Sequence, residues 1–240
     1  MSAENVYGTS NLMTTVKMVT IAPELEGSSK LIRQLTASLG ISVSLGHSAA
    51  DYSSGIAALK AGAKALTHVF NAMNPLNHRK PGLAGLIASP EAPYYSIIPD
   101  GIHLHPATVS LAFRANPEKC TLITDSIEMA GMSDGVYPGH AQIPHPQRKL
   151  GNKVTIDGTD TLIGSCISLD ECVRNLRKYS GCSLAESVRC VTENIANLMG
   201  LEDRGSLELG RRADLVILDG EGFVQQTWIR GVCMHSRTSP

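Results

Sequence analysis

The chain has no run of 18 apolar residues anywhere in its 240 positions, so no segment reads as a membrane-spanning helix. Its first ten residues lack a basic stretch followed by an apolar one, the pattern of a secretory signal. The six cysteines (Cys120, Cys166, Cys172, Cys182, Cys190, Cys233) contain no C-x-x-C pair and are widely spread. Free thiols of a reducing compartment fit this spacing better than a disulfide framework. A cytoplasmic location is the expectation. With three Phe and one Trp, stacking platforms for bases are scarce, and a formal net charge of -1 offers no pull on nucleic acid or an anionic membrane. Also missing are the phosphate-cradling G-x-x-x-x-G-K-[ST], a dinucleotide G-x-G-x-x-G after a strand, and the G-x-S-x-G nucleophile elbow. Those chemistries are set aside.

What remains is an ordinary globular composition, 42% hydrophobic and 18% charged, with alternating strand and helix signals. Val16–Ala22, Ile41–Leu45, Ala65–Phe70, Tyr94–Ile98 and Cys120–Thr124 read as buried strands. Between them, a helix capped by Ser28 or Ser29 runs to about Leu39, and others cover Ala50–Ala61 and Pro106–Ala115. Asn71–Ser89 reads as a long loop with a short helix at Leu83–Ala88. This alternation predicts right-handed βαβ units and a parallel sheet. Beyond Asp125, Met129–Arg148 reads as loop and Lys153–Thr161 as an antiparallel strand or hairpin. Helices are expected at Leu169–Tyr179 and Leu184–Met199, and two strands at Ala213–Leu218 and Val224–Val232.

The fold class expected is α/β: a partial (β/α)8 TIM barrel over residues 16–200, then C-terminal strands of a small β-sandwich over 205–234. Residues 1–15 and 235–240 are expected to be flexible. Five βα strands make five-eighths of a barrel that takes about 250 residues when complete.

The chemistry gathers at the strand ends. His47 and His68 each sit at the end of an apolar run, in SLGHS and LTHVF, and Asp125 closes a third run, CTLITD. In βα-repeat folds catalytic groups lie at the C-terminal ends of the strands. Two imidazoles delivered there can share one metal ion. A strand-end histidine taken alone is more often a hydrogen-bonded structural residue, and Asp125 alone reads as a helix cap or loop residue. Their joint placement favours a hydrolase with activated water and a carboxylate proton shuttle.

Several motifs then fall in one order: Gly46-His47-Ser48, Thr67 to Met73 (THVFNAM), Arg79-Lys80-Pro81-Gly82, Asp100-Gly101-Ile102-His103, Thr124-Asp125, Leu162-Ile163-Gly164-Ser165 and the tail Gly205 to Val216 (GSLELGRRADLV). From about Met18 to Val232 this set resembles the N-acetylglucosamine-6-phosphate deacetylase family of the amidohydrolase superfamily. The resemblance implies that His47 and His68 bind one divalent metal ion, expected to be Zn2+, and that Asp125 is the acid/base. It implies substrate contacts from Asn71 and Ala72 (at the phosphate), Arg79, the Asp100-Gly101-Ile102-His103 segment led by His103, and Leu162, Ile163 and Gly164, a loop closing over the substrate. The substrate implied is a phosphorylated N-acetyl amino sugar. Arg79 reaching a neighbouring site implies a homodimer. The family's third ligand, a glutamate in a His-x-Glu-Gly-Pro-Phe motif, has no counterpart here, and neither Glu24 nor Glu26 is promoted in its place. Two further readings stay open: a truncated, non-catalytic member of the family, and an amidohydrolase acting on another amide such as a cyclic ureide.

Overall fold

The computed structural model describes residues 14–237. Five parallel strands form one sheet in the order β1 (Met18–Ile21), β2 (Ser42–Leu45), β3 (Ala65–Leu66), β4 (Tyr94–Ile97) and β5 (Cys120–Leu122). Each strand therefore lies beside the one before it, the neighbour order of a barrel wall. The intervening helices are α1 (Ser28–Arg33, continued by a π-helical turn at Gln34–Ser38), α2 (Tyr52–Lys60) and α3 (Pro106–Ala115). β2 is buried at every position, as expected of a strand covered on both faces. Val43, Leu45, Leu66, Ile97 and Leu122 carry the core of this wall, each at most 2% exposed. Burying each such side chain contributes roughly 1.5–3 kcal/mol.

Local chemistry sets the helix ends. Asp51 caps α2 by accepting from the Ser54 N–H at 2.7 Å. Gly55 lets that helix lie on the 3-10 turn Leu83–Ala88, since a Cβ there would sit 2.6 Å from a Leu86 methyl and 2.8 Å from one of Leu83. Pro106 opens α3, behind His105 as its cap. On α1 the expected serine cap is not found. Gly27, at φ +80°, occupies the cap position, and Ser28 instead donates to the Pro23 carbonyl at 2.6 Å.

After β5 come four antiparallel strands in one sheet: β6 (Gly135–Tyr137), β7 (Gln147–Leu150), β8 (Lys153–Ile156) and β9 (Leu162–Ser165). The expected loop at Met129–Arg148 therefore contains β6 and the start of β7. Short, polar, glycine-bearing strands carry little periodicity to announce them. Helix α4 (Leu169–Ser180) follows. The single helix expected at Leu184–Met199 is two, α5 (Leu184–Arg189) and α6 (Glu193–Met199). The break lets the Cys190 carbonyl accept from the Leu122 N–H of β5 at 3.1 Å. Buried Asn194 ties α6 to the same strand, donating to the carbonyls of Cys120 (2.7 Å) and Pro117 (2.9 Å). The tail forms a separate antiparallel sheet of three strands rather than two: β10 (Leu215–Leu218), β11 (Val224–Ile229) and β12 (Val232–Ser236). A turn with Arg230 at φ +51° splits the run read as one strand. Of the segments expected to be flexible, residues 1–13 and 238–240 lie outside the described residues, and His235 and Ser236 belong to β12.

The architecture is a partial (β/α)8 barrel with separate antiparallel sheets. Among the described residues, no helix is long and apolar enough to cross a membrane. All six cysteines are free thiols, with Cys120, Cys172 and Cys190 buried. Burial pushes the Cys172 thiol up to about 12.

Tyr95 is the largest fully buried side chain, and its hydroxyl donates to the carbonyls of Ala112 (2.7 Å) and Asn116 (2.9 Å) where α3 ends. Tyr95→Phe is expected to cost about 1–2 kcal/mol by leaving these acceptors short of a donor. Urea denaturation checks this as a lowered midpoint at unchanged slope.

Candidate active site

Register places the two histidines. In the parallel pair β2–β3, Leu45 lies opposite Leu66, and His47 and His68 each follow two residues later. Both side chains therefore leave neighbouring strands at the same height, and the two Nε2 atoms stand 2.9 Å apart, rings edge-on at 75°. Gly46 makes room for this convergence, since a Cβ there would lie 2.8 Å from Thr67 Cβ and 3.3 Å from Thr20 Cγ2.

The backbone at these positions is unusual. His47 (φ +48°), His68 (+30°), Phe70 (+78°), Ala72 (+49°) and Asp125 (+49°) all adopt left-handed conformations just beyond strands β2, β3 and β5. For non-glycine residues each such conformation costs of order 1–3 kcal/mol and persists only where the surroundings impose it. Here hydrogen bonds do so. The His68 N–H donates to the Ser96 hydroxyl at 2.8 Å and the Val69 N–H to the Ser96 carbonyl at 2.8 Å. Beneath the imidazoles a hydroxyl chain links β1 to β3, with Thr67 bonded to Ser44 at 2.6 Å and to Thr20 at 3.0 Å. At Asp125 the main-chain carbonyl accepts from the Ser165 N–H at 3.1 Å. Gly164 permits this approach, because a Cβ there would meet Ile127 Cγ2 at 2.5 Å.

His68 is buried, 5% exposed, and its pKa is lowered by that burial, with the nearby Asp125 charge opposing and His47 adding to the shift. Its imidazole is thus biased neutral, the state a metal ligand requires. Its Nδ1 is buried with no partner. With metal–nitrogen bonds of about 2.0–2.1 Å, both Nε2 atoms are within reach of one ion. Among the described residues no third His, Cys, Asp or Glu completes a group able to hold one.

The remaining residues surround this pair unevenly. Asp100 accepts the N–H groups of Ile102 and His103, both at 2.8 Å, and bonds His103 Nδ1 at 2.6 Å. Gly101, at φ +74°, turns this segment beneath Tyr179, whose hydroxyl would lie 2.9 Å from an added Cβ. His105 instead caps α3 through Ala107. Asn71 bonds back to the His68 carbonyl through both its backbone and side-chain nitrogens. Ala72 lies beside His47 in an open cleft of about 440 Å³, lined also by Ser48, Ala49, Met73 and Asn74. Arg79 is exposed on the long loop after β3, its backbone held by Asn77. Leu162, Ile163 and Gly164 are not loop but strand β9, because β8 pairs with them. Sequence reasoning missed Ser96 and Asn74, and gave no role to Ser48, which it carried only within the Gly46-His47-Ser48 motif. Hydroxyls and amides are too common along a chain for any motif to mark them.

Residues 13–234 match the family model "Amidohydrolase family". The chain is 41% identical to an N-acetylglucosamine-6-phosphate deacetylase from Caenorhabditis elegans, over 95% of its own length and 54% of that protein's. It thus spans about half the length of the curated relatives it matches. Among solved structures it resembles N-acetylglucosamine-6-phosphate deacetylase from Thermotoga maritima, with a TM-score of 0.87 and 31% identity over 99% of this chain and 63% of that one. It also resembles a mutant deacetylase from Mycobacterium smegmatis in complex with N-acetyl-D-glucosamine-6-phosphate, with a TM-score of 0.83 and 35% identity over 91% of this chain and 57% of that one.

Burial pushes the Asp100 carboxyl up, but the His103 ring and the two backbone N–H groups outweigh it and hold it below the usual 3.8. A lowered carboxylate adds stability that is full above its unfolded value and lost as pH falls through the folded one. Asp100→Asn should therefore cost roughly 1–3 kcal/mol at pH 7, a deficit that closes below pH 3.8 in urea melts at stepped pH. A deficit independent of pH would show that the charge plays no part.

Proposed function

We propose that this chain, which belongs to the amidohydrolase family, carries the catalytic face of a deacetylase. Its reaction is the hydrolysis of N-acetyl-D-glucosamine 6-phosphate to D-glucosamine 6-phosphate and acetate. The observation that supports this most is the convergence of His47 and His68 at 2.9 Å, with the Asp125 charge acting on His68.

The amidohydrolase superfamily is metal-dependent, and we assign His47 and His68 as the imidazoles that hold one divalent ion, with Zn2+ the preferred occupant. When bound, that ion supplies Lewis acidity for the water and for the acetamide carbonyl. Asp125 takes the proton from the attacking water and returns it to the departing amine, a poor leaving group until protonated. His103, oriented by Asp100, directs its free ring nitrogen toward the sugar or acetyl group, with Gly101 and Ile102 forming the turn that carries it. Asn71, Ala72 and Arg79 receive the phosphate. The planar guanidinium of Arg79 suits two phosphate oxygens at once, and its exposure fits a role at a neighbouring subunit's site in a homodimer. Leu162, Ile163 and Gly164 wall the substrate on the Asp125 side. The free thiols support a reducing cytoplasm.

A second reading is favoured by one observation, the lack of a third metal-ligating side chain among the described residues. It is a non-catalytic member that binds the phosphorylated sugar without turning it over. Acetate release from N-acetyl-D-glucosamine 6-phosphate, with Zn2+ supplied, separates the two. The catalytic reading expects turnover that falls about 10²–10⁴-fold in Asp125→Asn. Arg79→Ala should mainly raise KM, since a phosphate contact serves ground and transition states alike. A folded chain that binds the sugar phosphate but releases no acetate would establish the second reading.

A further inference from the structure

The two imidazoles are held in different ways. His68 is buried and its backbone is held by Ser96, whereas His47 is exposed to the cleft. Nothing in β2 compels the left-handed turn that aims His47 at its partner, a conformation that residues with a side chain rarely adopt. The constraint comes from the peptides that follow it. Glu24, in the loop after β1, accepts the Ser48 hydroxyl through Oε2 at 2.6 Å and the Ala49 N–H through Oε1 at 2.8 Å. From the opposite side the Asn74 amide donates to the Ala49 carbonyl at 2.6 Å, and the Ser48 N–H donates to the Ala72 carbonyl at 2.9 Å. The Ser48 hydroxyl also accepts from the Ala50 N–H at 3.0 Å. Three successive strand-end loops are thereby fastened at the residue pair directly after His47. Both Glu24 oxygens are committed to this clamp, and Glu24 forms no three-donor group with the histidines among the described residues.

We propose that Glu24 is a positioning residue, whose carboxylate locks the Ser48–Ala49 turn and so keeps the His47 imidazole on the ion that His68 shares. The inference rests on the reading of His47 and His68 as metal ligands. The direction of the Glu24 pKa agrees: slight burial raises it, but the bonds from Ser48 and Ala49 win and hold it low.

The test titrates Co2+ into the full chain, followed by its visible absorption, for wild type, Glu24→Ala and Glu24→Gln. The metal-free melting temperature and the His47–His68 ring-proton cross-relaxation are measured alongside. Glu24→Ala should weaken Co2+ binding about 10–100-fold, the usual effect of removing a group that orients a ligand. It should also lose the ring-proton contact while keeping the wild-type melting temperature. Glu24→Gln should recover most of the affinity, because its amide oxygen still accepts from Ala49 and its nitrogen can bond the Ser48 oxygen. Unchanged affinity in Glu24→Ala overturns the proposal. So does Glu24→Gln binding as weakly as Glu24→Ala, which would mean the charge itself is used, or a melting temperature that drops in step with affinity. If wild type binds no Co2+ but retains the ring-proton contact, the metal reading fails instead, and loss or survival of that contact in Glu24→Ala still decides what Glu24 does.

Discussion

Parallel pairing of β2 with β3 is the constraint on which the site depends. Backbones of paired strands lie about 4.8 Å apart, so residues at equal height can bring their side-chain tips closer than that but not their main chains. The pairing of Leu45 with Leu66 puts His47 and His68 at equal height. A one-residue slip would turn one imidazole to the opposite face of the sheet. The packing of Val43, Leu45, Leu66 and Ile97 opposes that slip, since β2 is buried on both faces and the slip would exchange the places of its Ser42 and Ser44 with those of Val43 and Leu45. Hydrophobic packing thus sets a polar geometry it never touches.

Beyond the strand ends, the apolar core no longer dictates conformation, and hydrogen bonds take over. Left-handed residues cluster there because the chain must turn sharply to face its side chains into the cleft. Ser96 beneath His68, Glu24 and Asn74 around the turn after His47, and Ser165 against Asp125 each oppose that strain with a specific bond. Asp100 holds the His103 segment with three bonds, two to His103 itself and one to the Ile102 N–H. His47, His68 and Asp125 are thereby each backed by a residue from another strand or loop, and His103 by Asp100 three residues before it. The result is a site held rigid at the level of single turns.

Much of the barrel wall was legible in advance because buried parallel strands are short, largely apolar runs: all five were placed to within two residues at their starts, and four of them at their ends as well. The third was read too long, at Ala65–Phe70, since Val69 and Phe70 are apolar but lie in a turn where His68 and Phe70 have positive φ. The split between α5 and α6 escaped because Cys190–Thr192 keeps a helical pattern and the break serves a tertiary bond to Leu122. Strands β6 and β7 escaped because β6 is only three residues long and the buried positions of β7 are held by the polar Gln147 and Lys149. Within the site, histidines and aspartate at strand ends announced themselves, whereas Glu24 was visible but its partner residues were not.

By itself, then, the sequence determined the order of βα units, the strand-end placement of His47, His68 and Asp125, and the ordered motifs pointing to one family. These are local properties of pattern and spacing. Tertiary structure alone decided that the two imidazoles meet at 2.9 Å, that Leu162–Gly164 form a strand against Asp125 rather than a free loop, and that Glu24 braces the turn after His47. Each of these joins residues 20 to 40 positions apart in the chain. Contacts across such separations depend on register and packing, which no local pattern encodes.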